Sequence, residues 1–428
     1  MPIPSFPPTR RLGAVLAAAG LAAILEATLF PNPRQAATSA ATPLLCLVCG
    51  EGGGTDVFLN LLLFTPMAIG LRLLDWPWRR VVAAAALLSL TVEYLQFSVV
   101  AGRDPALGDV VANTIGAAVA AALAPKVPRL LAPDPVHAGR LLPIGAALFL
   151  GVLGLSALGL QPGVLPGRLR SACTSHSPAV GNWTGALRSV VLDRDTLPCD
   201  RNLAHSAAIR AALMAGQTTL RIDALSGRPT GGRALVHAVS VPRTSLLALV
   251  QEGSTAVFSV PTVSQRLRLS TLGLRLRGAF PSKAGVPFEL QAGQEGRRLW
   301  ISSSHSGRRR SVEMTLSPSF GWSILMWRRL QPGAEFRTLT ALWLGALILP
   351  AGYWAGFIRR PVWGLGAVAA TLAGGLGVLP FLTGYPPVHW SEWLGGFLGA
   401  ALGWALHRSA TYLQSRCGSP STGAYSSS

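Results

Sequence analysis

The sequence predicts a polytopic α-helical membrane protein of about eight transmembrane helices, with an all-β extracytoplasmic domain inserted after the fifth. Composition is the first reason, since 50% of the 428 residues are hydrophobic and only 13% are charged, unlike a soluble globular protein. The second is a series of apolar runs near the roughly 20 residues that a bilayer-spanning helix needs. The third is a change, over residues 165–332, to polar sequence in which apolar and polar residues alternate.

The first apolar run, residues 12–30, follows Arg10 and Arg11, which we expect to hold the N-terminus in the cytoplasm. A cleaved signal peptide is the alternative, because small residues at 36–41 are suitable for cleavage. A membrane helix is favoured, since the run exceeds the roughly 7–15 residues of a signal core and further apolar runs follow.

Seven more spans are expected, and they share an apolar composition: about 57–74, 81–100, 110–124, 141–160, 339–358, 362–382 and 390–406. Basic residues cluster in alternate connections, so both termini are expected in the cytoplasm and residues 165–332 outside. The predicted domains are a transmembrane region at 1–164, a β-sandwich at 165–332, a second transmembrane region at 333–416 and a disordered tail at 417–428.

Polar residues interrupt the second, third and fourth spans in pairs. The pairs are three or four residues apart, so the two members share one helix face, and an arginine lies in the loop between the third and fourth spans: Asp56 with Asn60, Glu93 with Gln96, Asp109 with Asn113, and Arg103. Ionisable groups at membrane depth are costly and mark functional sites by default. We therefore expect these seven residues to form one outward-facing binding site.

The order and spacing of these seven residues resemble the pattern of polar residues in the VanZ-like membrane proteins. Phe64, Pro66 and Gly116 also lie in compatible places. The resemblance covers roughly the first third of the chain. It implies a bacterial cell-envelope protein of the inner membrane, in a family associated with resistance to teicoplanin-type glycopeptide antibiotics.

The inserted region carries about ten short alternating runs separated by turn residues, which predicts an antiparallel β-sandwich. Examples are residues 220–223, 267–269 and 274–277. The order of the runs resembles the LamG-like, or concanavalin-like, jelly rolls that accompany some VanZ-like regions. Tryptophans in it can stack on sugars, although on strands they are more often core residues: Trp183, Trp300, Trp322 and Trp327.

Cysteines give two expectations. Cys173 and Cys199 both fall in the predicted outer domain, where oxidation persists, so a disulfide between them is expected. Cys46 and Cys49 form a C-x-x-C sequence without a second pair of ligands at zinc spacing, which leaves a small disulfide or two free thiols.

Three functions remain open. The first is an envelope factor that binds a membrane lipid or lipid-linked cell-wall precursor, with Arg103 holding an anion. The second is an intramembrane enzyme acting on such a lipid, with Glu93 or Asp109 as general base. The third is a sensor that binds cell-wall glycan through residues 165–332. A hydrogen-bond network that only fixes helix packing is the alternative to any working site.

Several other classes are disfavoured. The net charge of +19 is spread over the ends of apolar spans, so nucleic-acid binding is not expected. The chain carries neither a nucleophile motif nor a P-loop, and no carboxylate cluster matches a calcium site, so no cofactor or metal is expected.

The predicted topology can be tested with a reporter fused near residue 250. A reporter that is active only outside the cytoplasm should be active at this position, and one that is active only inside should not. The reason is that the arginine-rich connections all fall on one side of the membrane when spans are counted alternately. A matched fusion after Arg408 should give the opposite result. Activity of the first fusion in the cytoplasm would contradict this topology.

Overall fold

The computed structural model describes residues 7–30, 45–48, 52–100, 105–175, 180–228, 231–242, 244–326 and 331–417. Within those ranges, seven helical segments are long and apolar enough to cross a membrane. A separate antiparallel β-sheet region lies between the fifth and sixth of them. These features confirm the predicted fold class of a helical membrane protein with an inserted β domain. The last predicted span is helical over Trp390–Cys417 but is not among the seven.

The N-terminal helices are α1 Pro7–Leu29, α2 Gly53–Leu63, α3 Thr65–Leu73, α4 Trp78–Ser98, α5 Leu107–Leu123 and the short α6 Val127–Leu131. The second predicted span is divided into α2 and α3 at Phe64. Pro66 is in the first turn of α3, where its missing N–H does no harm. The core between these helices includes Ile24, Phe64, Val81 and Ala117, all fully buried.

Helix α5 occupies the middle of this bundle, because it packs against both α2 and α4. The contact with α2 is a backbone contact. A Cβ added to Gly116 would lie 2.0 Å from the carbonyl oxygen of Leu61, so only glycine fits there. Since Gly116 and Leu61 lie nine and eight residues from the starts of their helices, α2 and α5 begin at the same level of the bundle.

The β region contains two sheets. The first has the order β10-β9-β8-β7-β1-β5, with β2 beside β7, and the second has the order β13-β12-β11-β6-β3-β4. All pairings are antiparallel except that of β2 with β7. The strands are β1 Arg170–Ala172, β2 Gly181–Asn182, β3 Ala186–Leu192, β4 Asp195–Thr196, β5 Arg201–Asn202, β6 Gln217–Leu225, β7 Arg233–Val241, β8 Thr244–Glu252, β9 Thr255–Ser259, β10 Gly273–Leu276, β11 Pro287–Glu295, β12 Arg298–His305 and β13 Arg308–Thr315.

The alternating runs at 220–223 and 274–277 fall on β6 and β10 as predicted. The predicted strand at 267–269 is wrong. A 3₁₀ turn over Val263–Leu267 is followed by Arg268 in the left-handed region, with φ 54°. The turn is closed by hydrogen bonds from the N–H groups of Arg268 and Leu269 to the carbonyls of Gln265 and Ser264. The Arg268 carbonyl also accepts a hydrogen bond from the N–H of Gly54 in the first bundle, a contact that local alternation cannot report.

Further contacts join the β region to the start of α2. The hydroxyl of Thr55, which is fully buried, donates to the Ile324 carbonyl at 3.2 Å and accepts from the Ser270 N–H at 2.8 Å. The Arg268 guanidinium donates to the Val48 carbonyl at 2.8 Å. Buried hydrogen bonds of this kind fix orientation, so the β region and the first bundle meet in a defined way.

The β region confirms the predicted disulfide and the core position of one tryptophan, whereas Trp183 and Trp300 are only half-buried. Cys173 and Cys199 form a disulfide with a Cα–Cα distance of 5.3 Å. Trp322, in the short helix α9 Trp322–Leu325, is a buried core residue. Cys46 is disulfide-bonded, whereas Cys49 and Trp327 lie outside the described residues. One helix that the alternation did not predict, α8 Ser206–Ala215, precedes β6.

The chain divides into two compact units, and the second contains Arg129–Ala157, Ser317–Ser319 and Gly333–Ser428. Its helices are α7 Pro135–Gly159, α10 Ala334–Ala355, α11 Pro361–Leu372, a π-helical turn Ala373–Val378, α12 Leu379–Leu382 and α13 Trp390–Cys417. Phe149 of α7 packs with Leu344 and Ile348 of α10 in one core. The predicted domain boundaries at 164, 332 and 416 remain a prediction.

The β region contains a buried histidine that should make its stability depend on pH. The His237 ring is fully buried and its Nε2 lies 2.9 Å from the Ser171 hydroxyl. Burial lowers the pKa of His237 from 6.5 to about 4, and Asp200 only partly opposes this. The unfolded state binds the proton more readily than the folded state does. The contribution of neutral His237 to the free energy of unfolding is therefore fully present above pH 6.5 and is lost as the pH falls towards 4, a decrease of about 3 kcal/mol.

We expect the melting temperature of the detergent-solubilised chain, followed by tryptophan fluorescence, to fall between pH 6.5 and 4. His237→Gln should flatten that profile while keeping a hydrogen-bond partner for Ser171. His205→Gln is the matched control. The side chain of His205 is 72% exposed, and its surface ion pair with Asp195 contributes little to stability, so the variant should leave the profile nearly unchanged. An unaltered profile in His237→Gln would assign the acid sensitivity to other groups.

The backbone contact between α2 and α5 makes a second prediction. Gly116→Ala should destabilise the protein by about 1–3 kcal/mol, because the new Cβ meets a backbone oxygen that has little freedom to move. Gly151→Ala in α7 is the control, since a Cβ there has nothing within 4 Å. The measurement is the thermal stability of each variant in detergent. Equal stability of the two variants would show that the helices separate easily.

Candidate functional site

The two ionisable residues at the centre of the predicted site face each other across α4 and α5. The Glu93 carboxylate accepts a hydrogen bond from the N–H of Ala106 at 2.8 Å, and Ala106 is the residue that caps α5. Asp109 lies in the first turn of α5 and interacts electrostatically with Glu93. The positive end of the α5 dipole favours carboxylates at this position. Glu93 is five residues before the end of α4, roughly 8 Å below it.

Asn113 lies one turn below Asp109 and is almost completely buried. Its side-chain N–H donates to the Ser89 hydroxyl of α4 at 3.0 Å. Its other polar atom, Oδ1, is buried and finds no donor in the described part of the chain. A buried acceptor without a donor is costly, so a further hydrogen-bond donor at this atom would be stabilising.

Gln96 points towards a different helix. Its side-chain N–H donates to the carbonyl of Thr28 near the end of α1 at 2.9 Å, and the residue is buried. This bond shows that α1 and α4 end at the same level of the bundle. Gln96 therefore joins two helices, while Glu93 and Asn113 join α4 to α5.

The two residues on α2 are more open. Asp56 is exposed in the first turn of α2 and Asn60 is half-buried one turn later. Asp56 directly follows Thr55, which binds the β region. Arg103 lies outside the described residues, so its proposed role as the anion-binding residue remains a prediction. Whether all seven residues form one cluster also remains a prediction.

Sequence reasoning missed two residues of this arrangement. Ser89 is fully buried and is the partner of Asn113. It lies four residues before Glu93, so helical periodicity could have placed both on one face. Thr28 contributes only its backbone carbonyl, which a sequence pattern cannot indicate. Among the residues that the structure describes, no group of three or more His, Cys, Asp or Glu is arranged to hold a metal ion.

Comparison with known proteins gives one match. The model of the family described as VanZ/LLP1 matches residues 13–130, which contain most of α1, all of α2 to α5 and every residue of the candidate site. No curated protein and no solved structure matches the chain. The match agrees with the resemblance seen in the ordered polar residues. Residues 13–130 are therefore a VanZ-like domain, carried by a helical membrane protein with a separate β region.

Proposed function

We propose that the VanZ-like domain binds the polar head group of a membrane lipid or lipid-linked cell-wall precursor between α4 and α5. The observation that carries this proposal is the neighbouring pair of carboxylates, Glu93 and Asp109, above a buried acceptor of Asn113. Helix packing alone does not require two neighbouring acids, because like charges repel and are costly at membrane depth.

The character of these groups indicates the chemistry of the head group. Glu93, Asp109 and the Oδ1 atom of Asn113 are all hydrogen-bond acceptors. A matching head group therefore offers donors, such as sugar hydroxyls or an ammonium group. A phosphate on the same head group would be bound by Arg103, as the sequence predicts. Such a molecule is amphipathic, and its acyl or prenyl chain would lie along the apolar surface of the helices.

Binding is favoured over catalysis as the role of this site. Glu93 is already engaged as an acceptor of the Ala106 N–H, and the same bond fixes the start of α5. A group held in this way is well placed to orient a ligand. A general base has to exchange a proton during each turnover, which would weaken the capping interaction each time.

The wider role follows from the family. We infer that the protein acts in the bacterial cell envelope, with residues 165–332 on the outer side of the inner membrane. The association of VanZ-like proteins with teicoplanin-type resistance suggests that the head group belongs to cell-wall synthesis. Expression in a susceptible strain and measurement of the inhibitory concentration of teicoplanin would test this role separately from lipid binding.

Replacement of the carboxylates should weaken lipid binding. We expect Glu93→Gln and Asp109→Asn each to lower the affinity for a polyprenyl phosphate sugar by about tenfold, since a hydrogen bond to a charged group is worth about 1.5–3 kcal/mol. Binding can be measured by native mass spectrometry on the purified chain in detergent. Phosphatidylethanolamine and phosphatidylglycerol at equal concentration would show whether ammonium or hydroxyl donors are preferred.

Glu26→Gln is the matched control for these variants. Glu26 is a carboxylate near the outer end of α1, and its side chain is exposed. Its loss should leave the affinity unchanged. Arg103→Ala would test the predicted phosphate contact, with a loss for phosphate-bearing lipids only. Wild-type affinity in both carboxylate variants would refute the proposed site and leave a packing network as the explanation.

A further inference from the structure

An exposed turn of the β region lies against the start of α2. The turn consists of Arg266, Leu267 and Arg268, and all three residues are exposed. Leu267 is 69% exposed. Single exposed leucines are common on folded proteins and need no special explanation. The meaning of this one therefore depends on where the turn lies relative to the membrane spans.

Backbone contacts fix the turn against α2. A Cβ added to Gly54, the second residue of α2, would lie 1.9 Å from the carbonyl oxygen of Leu267. The Gly54 N–H also donates to the Arg268 carbonyl at 3.0 Å. Just before the turn, the Val263 N–H donates to the Gln161 carbonyl at 2.9 Å. The turn is therefore held at the start of α2 on one side and by the segment after α7 on the other.

The start of α2 reaches the edge of the hydrocarbon layer. The span formed by α2 and α3, Gly53–Leu73, contains 21 residues, which corresponds to about 31 Å at a rise of 1.5 Å per residue. The hydrocarbon core of a bilayer is about 30 Å thick. The first residues of α2 therefore lie where the acyl chains meet the head groups, and the turn at Leu267 is at the same level.

The turn also lies on the side of α2 that faces lipid. Gly54, Phe58 and Leu62 follow one another at intervals of four residues, so they share one helix face. Phe58 and Leu62 are large apolar side chains that are exposed, as expected of side chains in contact with a membrane. Asp56 is two residues from Gly54, about 200° further round the helix. Leu267 is thus next to the apolar face of α2 and away from its carboxylate.

We propose that this turn docks on the phospholipid surface beside α2, with Leu267 among the acyl chains and Arg266 and Arg268 bound to lipid phosphates. A leucine between two arginines combines an apolar anchor with cations that are complementary to anionic head groups. Arg268 donates one N–H to the Val48 carbonyl, and a guanidinium has further N–H groups for a phosphate. The partner is therefore an anionic phospholipid such as phosphatidylglycerol. Head-group binding between α4 and α5 is a separate proposal, because different residues carry it.

The depth of the turn can be measured on the full chain in nanodiscs of phosphatidylcholine and phosphatidylglycerol. Leu267→Cys, in a chain that also carries Cys417→Ser, is labelled with a polarity-sensitive fluorophore. The parent chain without the new cysteine gives the background. We expect blue-shifted emission that is quenched by lipids with a nitroxide on the acyl chain.

Ser306→Cys is the matched control for this label. Ser306 is exposed between β12 and β13. The far end of β13 leads to Ile324, which contacts Thr55 at the start of α2, and the eight residues of β13 correspond to roughly 26 Å. A label at Ser306 should therefore emit as in water. Equal emission and equal quenching at the two positions would overturn the proposal.

Arg266→Gln tests the ionic part of the contact without a label. Native mass spectrometry of the full chain, purified with equal amounts of phosphatidylglycerol and phosphatidylcholine, reports which lipid is retained. We expect the preference for phosphatidylglycerol to fall about fivefold in this variant. Arg308→Gln removes an exposed arginine at the start of β13 and should leave the preference unchanged. The wild-type preference in Arg266→Gln, or the same loss in both variants, would overturn the assignment of this arginine to a lipid phosphate.

Discussion

The close approach of α5 to α2 at Gly116 is the constraint on which the candidate site depends. The carbonyl oxygen of Leu61 lies 2.0 Å from the place that a Cβ on Gly116 would occupy. The two helices are therefore fixed along their axes as well as in their separation. The other end of α5 is held by side chains, since Trp78 and Arg72 donate to the carbonyls of Ala118 and Ala121. Asp109 and Asn113 therefore project from a helix that cannot slide or rotate freely.

Because α5 is held rigidly, the polar residues of α4 contact it in a fixed geometry. Glu93 accepts from the residue that caps α5, so one carboxylate supports the helix that carries the other. The repulsion between Glu93 and Asp109 is opposed by the positive end of the helix dipole. The arrangement thus stabilises two neighbouring acids, and the buried Oδ1 of Asn113 has no donor among the described residues, which is why we propose a ligand rich in donors.

Helical periodicity predicted which helix faces carry the polar residues but not the hydrogen bonds that these residues make. The pairing of Glu93 with Gln96 correctly placed both residues near one end of α4, yet Gln96 bonds to α1 and Glu93 bonds towards α5. The direction of each side chain depends on tertiary packing, which spacing alone does not contain. The same limit explains the error at Arg268. Its neighbours alternate like a strand, but Arg268 is left-handed, and its carbonyl accepts a hydrogen bond from Gly54, more than 200 positions away in the sequence.

Those long-range contacts also fix the position of the β region relative to the first helical bundle. A β region attached only by flexible linkers would occupy a wide range of positions relative to the helices. Here Thr55 is buried between Ser270 and Ile324, and the Arg268 guanidinium binds the segment at Val48. The carbonyl of Cys46 in that segment accepts from Gly108 at the start of α5. The β region, the disulfide-bonded segment at Cys46 and the helix that carries Asp109 are thus joined by successive hydrogen bonds. The six-stranded sheet is therefore kept in a fixed relation to the starts of α2 and α5.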